Sequence, residues 1–266
     1  MIGRQALPAE YQEFNGRWGA PFGLPAAIGA GLRQRHSNPL PEYGPFAFQI
    51  PSGTRIFEYP WSFFATKPGP GCRVLDVGGC VSGLQFVLAL EGCQVVNVDP
   101  FEDGSEGWPL EYYSATPELH DRLNKVFGTD VELVTKRLQD ASLAEGSFDR
   151  VVCISVLEHL AHVDGQDLVE YAGRLLAPGG LFVATIDLFL DVEPFGVLPR
   201  NSFGTNVDVA GLVANSGLEL VEGDRRELYG FPEFDRDRVV AHLDELLISP
   251  RYPVVSQALV LQKPGE

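Results

Sequence analysis

The sequence predicts a doubly wound α/β fold, and three observations carry that prediction. From Cys72 onward, apolar runs of strand length alternate with helical segments. The first five runs are nearly unbroken Val, Leu and Ile, as strands buried on both faces of a parallel sheet require. Gly and Pro punctuate the joins between them.

Taken in order, the predicted strands are 73–77, 94–98, 131–135, 151–154, 181–186, 218–221 and 255–261. A short apolar run from Leu84 to Leu90 fits a buried helix after the first strand. Thr116-Pro117-Glu118 supplies a cap, a first-turn proline and an early acid, and Gly128 closes that helix. Leu168, Val169, Ala172, Leu175 and Leu176 recur at helical spacing ahead of a Pro178-Gly179-Gly180 breaker. Asn206 is the expected cap of a helix carrying Val209, Leu212 and Val213 and ending at Gly217. An insertion at about 224–252 precedes the last strand and holds an amphipathic segment around Val239, Val240, Leu243, Leu246 and Leu247.

Residues 1–70 have another texture, crowded with Pro, Gly and aromatics and without long helical periodicity. They predict an irregular aromatic N-terminal arm, either packed over the main domain of 71–266 or closing as a lid on a ligand site. Within that arm, Glu58, Tyr59 and Trp61 admit both readings.

Composition narrows the function. The 266 residues are 45% hydrophobic and 21% charged, a globular balance. With 36 acidic against 20 basic residues and a formal net charge of -16, the average surface repels phosphate backbones and anionic membranes. Neither a nucleic-acid nor a membrane partner is therefore expected. No signal-peptide core or apolar run of spanning length is present, and the four cysteines lack metal-ligand spacing, which points to the cytoplasm.

In a doubly wound sheet, ligands bind beyond the carboxyl ends of the strands, where strand order reverses. The first strand runs into Asp76-Val77-Gly78-Gly79-Cys80-Val81-Ser82-Gly83, and glycines there permit a tight turn and close approach of a ligand. The second strand ends at Asp99, whose carboxylate can accept hydrogen bonds from both hydroxyls of a ribose. An adenosine-containing cofactor is expected. Charge separates the candidates. A pyrophosphate would meet the Asp76 carboxylate and a side chain at Cys80, where a dinucleotide loop needs glycine. S-adenosylmethionine brings a sulfonium and an ammonium instead, and the acidic loop suits those cations.

Five stretches in this order carry a family resemblance: Val74 to Gly83; Asp99; Ser147-Phe148-Asp149-Arg150-Val151-Val152; Val156-Leu157-Glu158-His159-Leu160; and Leu175-Leu176-Ala177-Pro178-Gly179-Gly180-Leu181-Phe182. Over about residues 71–222 the chain resembles class I S-adenosylmethionine-dependent methyltransferases. The resemblance implies a Rossmann-like seven-stranded sheet with an antiparallel last strand. It further implies that Gly78 and Gly79 lie against the methionine part of the cofactor, that Asp99 binds its ribose, and that Pro100 and Phe101 flank the adenine. The backbone at Ser155 would face the ammonium group; the family's Asp-Ala at the adenine edge falls here on Arg137-Leu138, so either Asp140 substitutes for that acid or the adenine is read by backbone alone. The chain departs from the family loop at Cys80 and in placing its last glycine one position late, at Gly83.

Methyl transfer is an in-line displacement, so alignment in a water-poor pocket supplies much of the catalysis. An oxygen or nitrogen acceptor also needs a base for its proton. His159 is the candidate, because it follows the fourth strand and histidine ordinarily titrates near neutrality; its alternative is a packing role. Glu158-His159 resembles part of the Glu-x-x-Glu-His of metal-dependent members, but Ser155 stands in the first acid's place, so no metal is predicted. Asp187, Asp191 and Glu193 are expected in a solvated acidic loop rather than facing an acceptor or a hard cation. His36 and His162 are expected at the surface. The resulting expectation is methyl transfer from S-adenosylmethionine to an oxygen or nitrogen of a small molecule, such as a secondary metabolite or sugar. The alternatives are a cyclisation or rearrangement using the same cofactor, and a non-catalytic subunit on the same fold.

Overall fold

A computed structural model describes residues 1–101 and 115–265. Seven strands form one sheet: β1 (Arg73–Val77), β2 (Gln94–Val98), β3 (Glu132–Val134), β4 (Phe148–Ile154), β5 (Leu176–Phe189), β6 (Glu219–Glu222) and β7 (Val254–Gln262). Their order is β3-β2-β1-β4-β5-β7-β6. The pairs from β3 through β5 are parallel, whereas β7 runs antiparallel to both β5 and β6. The antiparallel last strand implied by the resemblance is therefore present. The chain leaves β1 for β2 and β3 on one side, then crosses back to β4 on the other, so the reversal falls between β1 and β4. A ligand crevice is expected at the carboxyl ends of these two strands.

Alternation along the central strands divides the core. Leu75, Val77, Val151, Cys153, Phe182 and Ala184 point to the face covered by α6 (His162–Leu175) and α7 (Val209–Ser216). Val74, Val95 and Val152 point to the opposite face, against α4 (Gly83–Leu90) and α5 (Pro117–Phe127). Both faces are dry, which is why these strands read as unbroken apolar runs. Helix α5 is bounded as the sequence predicts: the Thr116 side chain accepts from Leu119 N–H, and Gly128 ends the helix at φ 66°.

Several expectations are corrected. The cap of α7 is Asp208, which accepts from Gly211 N–H at 3.0 Å. Asn206 instead ties the backbone of Phe189 at both its N–H and its carbonyl, and donates to the Glu193 carbonyl. Pro178-Gly179-Gly180 lies within β5, where the pairing with β4 shifts register between Phe148 and Arg150. Helix α6 does end at Leu175, but the chain passes directly into the strand, and Gly179 (φ 74°) supports the bulge. In the 224–252 insertion only Arg236–Ala241 is helical (α8); it buries Val239 and leaves Val240 exposed.

The N-terminal region is more regular than its composition predicts. It carries α1 (Ala9–Trp18), α2 (Leu32–Ser37) and α3 (Arg55–Thr66), joined by 3-10 turns. Its aromatics obscure an amphipathic α3, whose Phe57, Trp61 and Ala65 pack on Leu181, Val183, Ala258 and Val260 of β5 and β7. Trp61 is a packing residue, only 2% exposed. Another part of the region, Phe46, Ala47 and Phe48, packs with α4.

Replacing Asp208 with Ala should lower unfolding stability by about 1 kcal/mol, since it leaves a helix N–H without its cap. Urea denaturation of Asp208→Ala against the parent chain measures this.

Candidate active site

Beyond the tips of β1 and β4 opens a cavity of about 890 Å³. Its β1–β2 side is formed by Asp76, Gly78, Gly79, Cys80, Asp99, Pro100 and Phe101, and its β4 side by Ser155 and His159. Of the residues expected from the sequence to hold a cofactor, only Leu138 lies elsewhere. It is 3% exposed and belongs to the core beside Val98 and Phe148. Thr116 and Pro117 line the cavity as well.

The strand tips bend sharply around this space. Gly78 (φ 70°), Cys80 (φ 47°), Phe101 (φ 51°) and Ser155 (φ 52°) all adopt left-handed backbone. Such conformations are costly for residues with side chains and concentrate at functional sites. Hydrogen bonds hold them: Gly78 N–H donates to Val98 O at 2.9 Å, and Ser155 N–H to Thr185 O at 2.9 Å. Glycine is required sterically at two loop positions. A Cβ at Gly78 would come within 2.6 Å of Val156 Cγ2, and one at Gly79 within 2.3 Å of Asp76 Oδ2.

Asp99 organises the loop. Its Oδ2 accepts from Cys80 N–H and its Oδ1 from Phe101 N–H, both at 2.8 Å. Burial raises the Asp99 pKa, and these two N–H groups oppose the rise. Each oxygen keeps a further lone pair for a ligand hydroxyl. The Cys80 thiol is pushed up to about 12, first by burial and then by Asp99, so it stays neutral.

On the β4 side, α3 contributes Arg55, which the sequence did not single out, together with Tyr59 and Glu58, which it left between packing and the site. Arg55 and Tyr59 line the cavity with Ser52, Phe203 and Tyr252. The Arg55 guanidinium bonds Glu58, which also accepts from Thr185 Oγ1 at 2.9 Å. Burial works against the Arg55 charge, but Glu58 and the neighbouring Tyr59, Asp187 and Tyr252 more than offset it. Glu58 is thus an ion-pair partner inside the fold, and Tyr59, with its hydroxyl raised to about 12 chiefly by burial, faces the cavity.

Asp187 corrects the expectation of a solvated acidic loop. It is fully buried within β5 and accepts from the Tyr252 hydroxyl at 3.3 Å. Burial, then the charges of Glu158 and Glu58, push its pKa well above the ordinary range, and Arg55 opposes them. Asp191 and Glu193 follow in the turn after the strand, where Asp191 accepts from Asn201. Glu158 is buried and takes the Ser155 hydroxyl.

His159 is exposed on the 3-10 turn Leu157–His159, with Nδ1 against the Phe203 carbonyl. A carbonyl can only accept, so Nδ1 carries the hydrogen and the neutral ring keeps its lone pair on Nε2. The Phe203 ring in turn stacks on Tyr252, with centroids 4.0 Å apart and planes at 17°. Phe203 and Tyr252 come from distant loops, so no local signal in the sequence could join them to His159. His162 is exposed, whereas His36 is half-buried and bonds the Phe48 carbonyl at 2.9 Å. Among the described residues, no group of three or more His, Cys, Asp or Glu is arranged to hold a metal ion, and no helix is long and apolar enough to cross a membrane.

Residues 75–184 match the family model described as "Methyltransferase domain". This match supports the resemblance to class I S-adenosylmethionine-dependent methyltransferases. It is 28% identical over 145 residues to a ubiquinone biosynthesis O-methyltransferase of Methylocella silvestris, a match covering 54% of this chain and 51% of the relative. A protein of the same name from Agrobacterium fabrum is 34% identical over 136 residues, covering 50% of this chain and 48% of the relative. The chain thus spans about half the length of these curated relatives. Among solved structures, the (4+2)-cyclase SpnF aligns with a TM-score of 0.59 at 15% identity over 100% of both chains. A geranyl diphosphate methyltransferase in complex with S-adenosylmethionine aligns at 0.52 and 12% identity, over 91% of this chain and 96% of that one. At such identities these two likenesses show the shared fold. S-adenosylmethionine is the cofactor of the family.

Replacing Arg55 with Met should leave Glu58 buried without its counter-charge and destabilise the fold by about 3–5 kcal/mol. Replacing Arg55 and Glu58 together should cost less than the single change. Denaturation of the three variants and the parent, closed as a double-mutant cycle, checks both statements.

Proposed function

We propose that this protein transfers a methyl group from S-adenosylmethionine to an oxygen or nitrogen of a small molecule, with the cofactor held at Asp76, Gly78, Gly79, Asp99, Pro100, Phe101 and Ser155. One observation carries the choice of cofactor: Asp76 and Asp99 stand on either side of Gly79-Cys80, and the Cys80 N–H is already given to Asp99. A phosphate-binding loop needs free N–H groups and an uncharged surrounding. Here the loop offers carboxylates, which suit a ribose and two cationic centres.

S-adenosylmethionine supplies a methyl carbon activated by a neutral thioether leaving group. The chain's own residues align and deprotonate the acceptor. His159, with Nδ1 occupied by the Phe203 carbonyl, receives the acceptor's proton on Nε2. Arg55, Tyr59 and Tyr252 give the cavity wall polar groups set among aromatic surface, a combination suited to a small molecule with a few polar substituents. The O-methyltransferase names of the relatives support oxygen as the receiving atom, and a secondary metabolite or sugar hydroxyl fits that chemistry. The segment around Gln49 to Ser52, which lines the cavity from the N-terminal region, supports the reading of that region as a cover over the bound pair.

Incubation with methyl-labelled S-adenosylmethionine and a panel of hydroxyl and amine acceptors tests the proposal: label should enter an acceptor, and turnover without label would reject transfer in favour of cyclisation or rearrangement. Asp99→Ala should weaken binding of S-adenosylhomocysteine by about 1–3 kcal/mol, through loss of charge-assisted hydrogen bonds; calorimetry measures it. His159→Ala should lower turnover at least tenfold while leaving that binding within twofold, and an unchanged rate would reduce His159 to a packing residue.

A further inference from the structure

Beneath the glycine loop lies a buried polar chain that methyl transfer does not use. Gln85 on α4, Asn97 on β2 and His120 on α5 are each 0% exposed. Asn97 Nδ2 donates to Cys80 O at 2.8 Å and to Gln85 Oε1 at 2.9 Å, and His120 Nε2 reaches the same Gln85 oxygen at 2.9 Å. Gln85 Nε2 meets the carbonyls of Gly79 and Cys80 at 3.4 and 3.2 Å. These partners fix the rotation of the Asn97 amide, because its nitrogen faces two acceptors. Its oxygen is therefore left on the other side, where Asp76 is its cross-strand neighbour in the β1–β2 register.

Among the described residues, Asn97 Oδ1 and Asp76 Oδ2 both lack a hydrogen-bond partner. They lie 3.0 and 2.3 Å from the point that a Gly79 Cβ would occupy. Two buried oxygens converging with lone pairs alone are unfavourable, and a single proton between them removes the conflict. Asn97 cannot supply it.

We propose that Asp76 carries that proton in the unliganded protein, sharing it with the Asn97 amide oxygen, and that binding of S-adenosylmethionine or S-adenosylhomocysteine expels it to solvent as the ligand's ammonium takes its place beside the carboxylate. The inference rests on the cofactor reading given above. The balance is simple: the neutral carboxyl becomes a carboxylate, one proton leaves, and one ammonium charge enters.

The surroundings agree. Burial first, and the charge of Asp99 second, raise Asp76 to about 7. The other titratable groups coupled to it are Tyr59 on α3, Cys80 in the loop and Cys153 on β4. All three are raised by burial and neutral. Asp99 itself is held toward the ionised form by two N–H groups. His120 is lowered to about 4 by burial, so it brings no positive charge to the network.

Because the folded pKa lies above the unfolded value of about 4, ionising Asp76 opposes folding. The unliganded protein should therefore lose stability as pH rises from about 4 through 7, while the affinity for cofactor rises over the upper part of that range.

Calorimetric titration of the full chain with S-adenosylhomocysteine, at pH 6.5 in two buffers of very different ionisation enthalpy, tests this. The expected result is release of about half a proton or more per ligand, with affinity increasing roughly tenfold between pH 6 and 8. Asp76→Asn places a permanent N–H opposite Asn97, so it should fold, bind more weakly and show no dependence on buffer. An infrared difference spectrum of the parent protein should independently lose a protonated-carboxyl carbonyl band on addition of the ligand. Saturable binding with equal enthalpy in both buffers and no band loss would overturn proton expulsion while leaving the cofactor reading intact. Absence of saturable binding would overturn both, and buffer dependence that survives in Asp76→Asn would overturn the assignment to Asp76.

Discussion

The site depends on how one fully buried strand comes to an end. Strand β1 is flanked by parallel neighbours and covered on both faces, so its last residues must leave the sheet without exposing unpaired backbone. Gly78 does so by keeping a ladder bond to Val98 while turning left-handed, and Asp99 then takes the Cys80 N–H that the turn would otherwise leave without a partner. The loop therefore commits the Gly78 and Cys80 N–H groups within the fold and sets the Asp76 and Asp99 carboxyl groups in the cavity wall. A different answer to the same problem, with free N–H groups, would have made a phosphate site.

The same economy of partners marks the β4 side. Glu58, Glu158 and Asp187 are all withdrawn from water, and Arg55 pairs with Glu58 and acts on Asp187. Burial, with the charges of Glu158 and Glu58, outweighs Arg55, so Asp187 is pushed toward its neutral form. The cluster couples the N-terminal helix α3 to the tips of β4 and β5. It also joins β5 to Tyr252, which lies just ahead of β7, through the Asp187 hydrogen bond. This side of the cavity is thus assembled from separate parts of the chain.

Within the N-terminal region, composition and structure diverge for a definite reason. Proline and glycine there make turns between short helices, while Phe57, Trp61 and Ala65 form one face of α3 against β5 and β7. The helix tolerates Pro60 in its first half, and its aromatic content hides an ordinary amphipathic pattern. Asp187 misleads in the opposite sense. An acid after an apolar run ordinarily marks the end of a strand, yet β5 continues to Phe189 because β7 pairs with it along its full outer half.

Local chemistry by itself determined the strand and helix order, the glycine loop with Asp76, the position of Asp99, and the caps at Thr116 and Gly128. Each rests on a few neighbouring residues whose periodicity, φ preference or hydrogen-bonding capacity acts over a short span. The tertiary structure alone decided which polar groups share the cavity. Arg55, Phe203 and Tyr252 join His159 only after the sheet has closed, and Leu138 turns into the core instead of toward them. It likewise decided the state of Asp76 and Asp187, because the cost of a carboxylate is set by the water it loses and the charges it meets, and neither is written in its sequence neighbours.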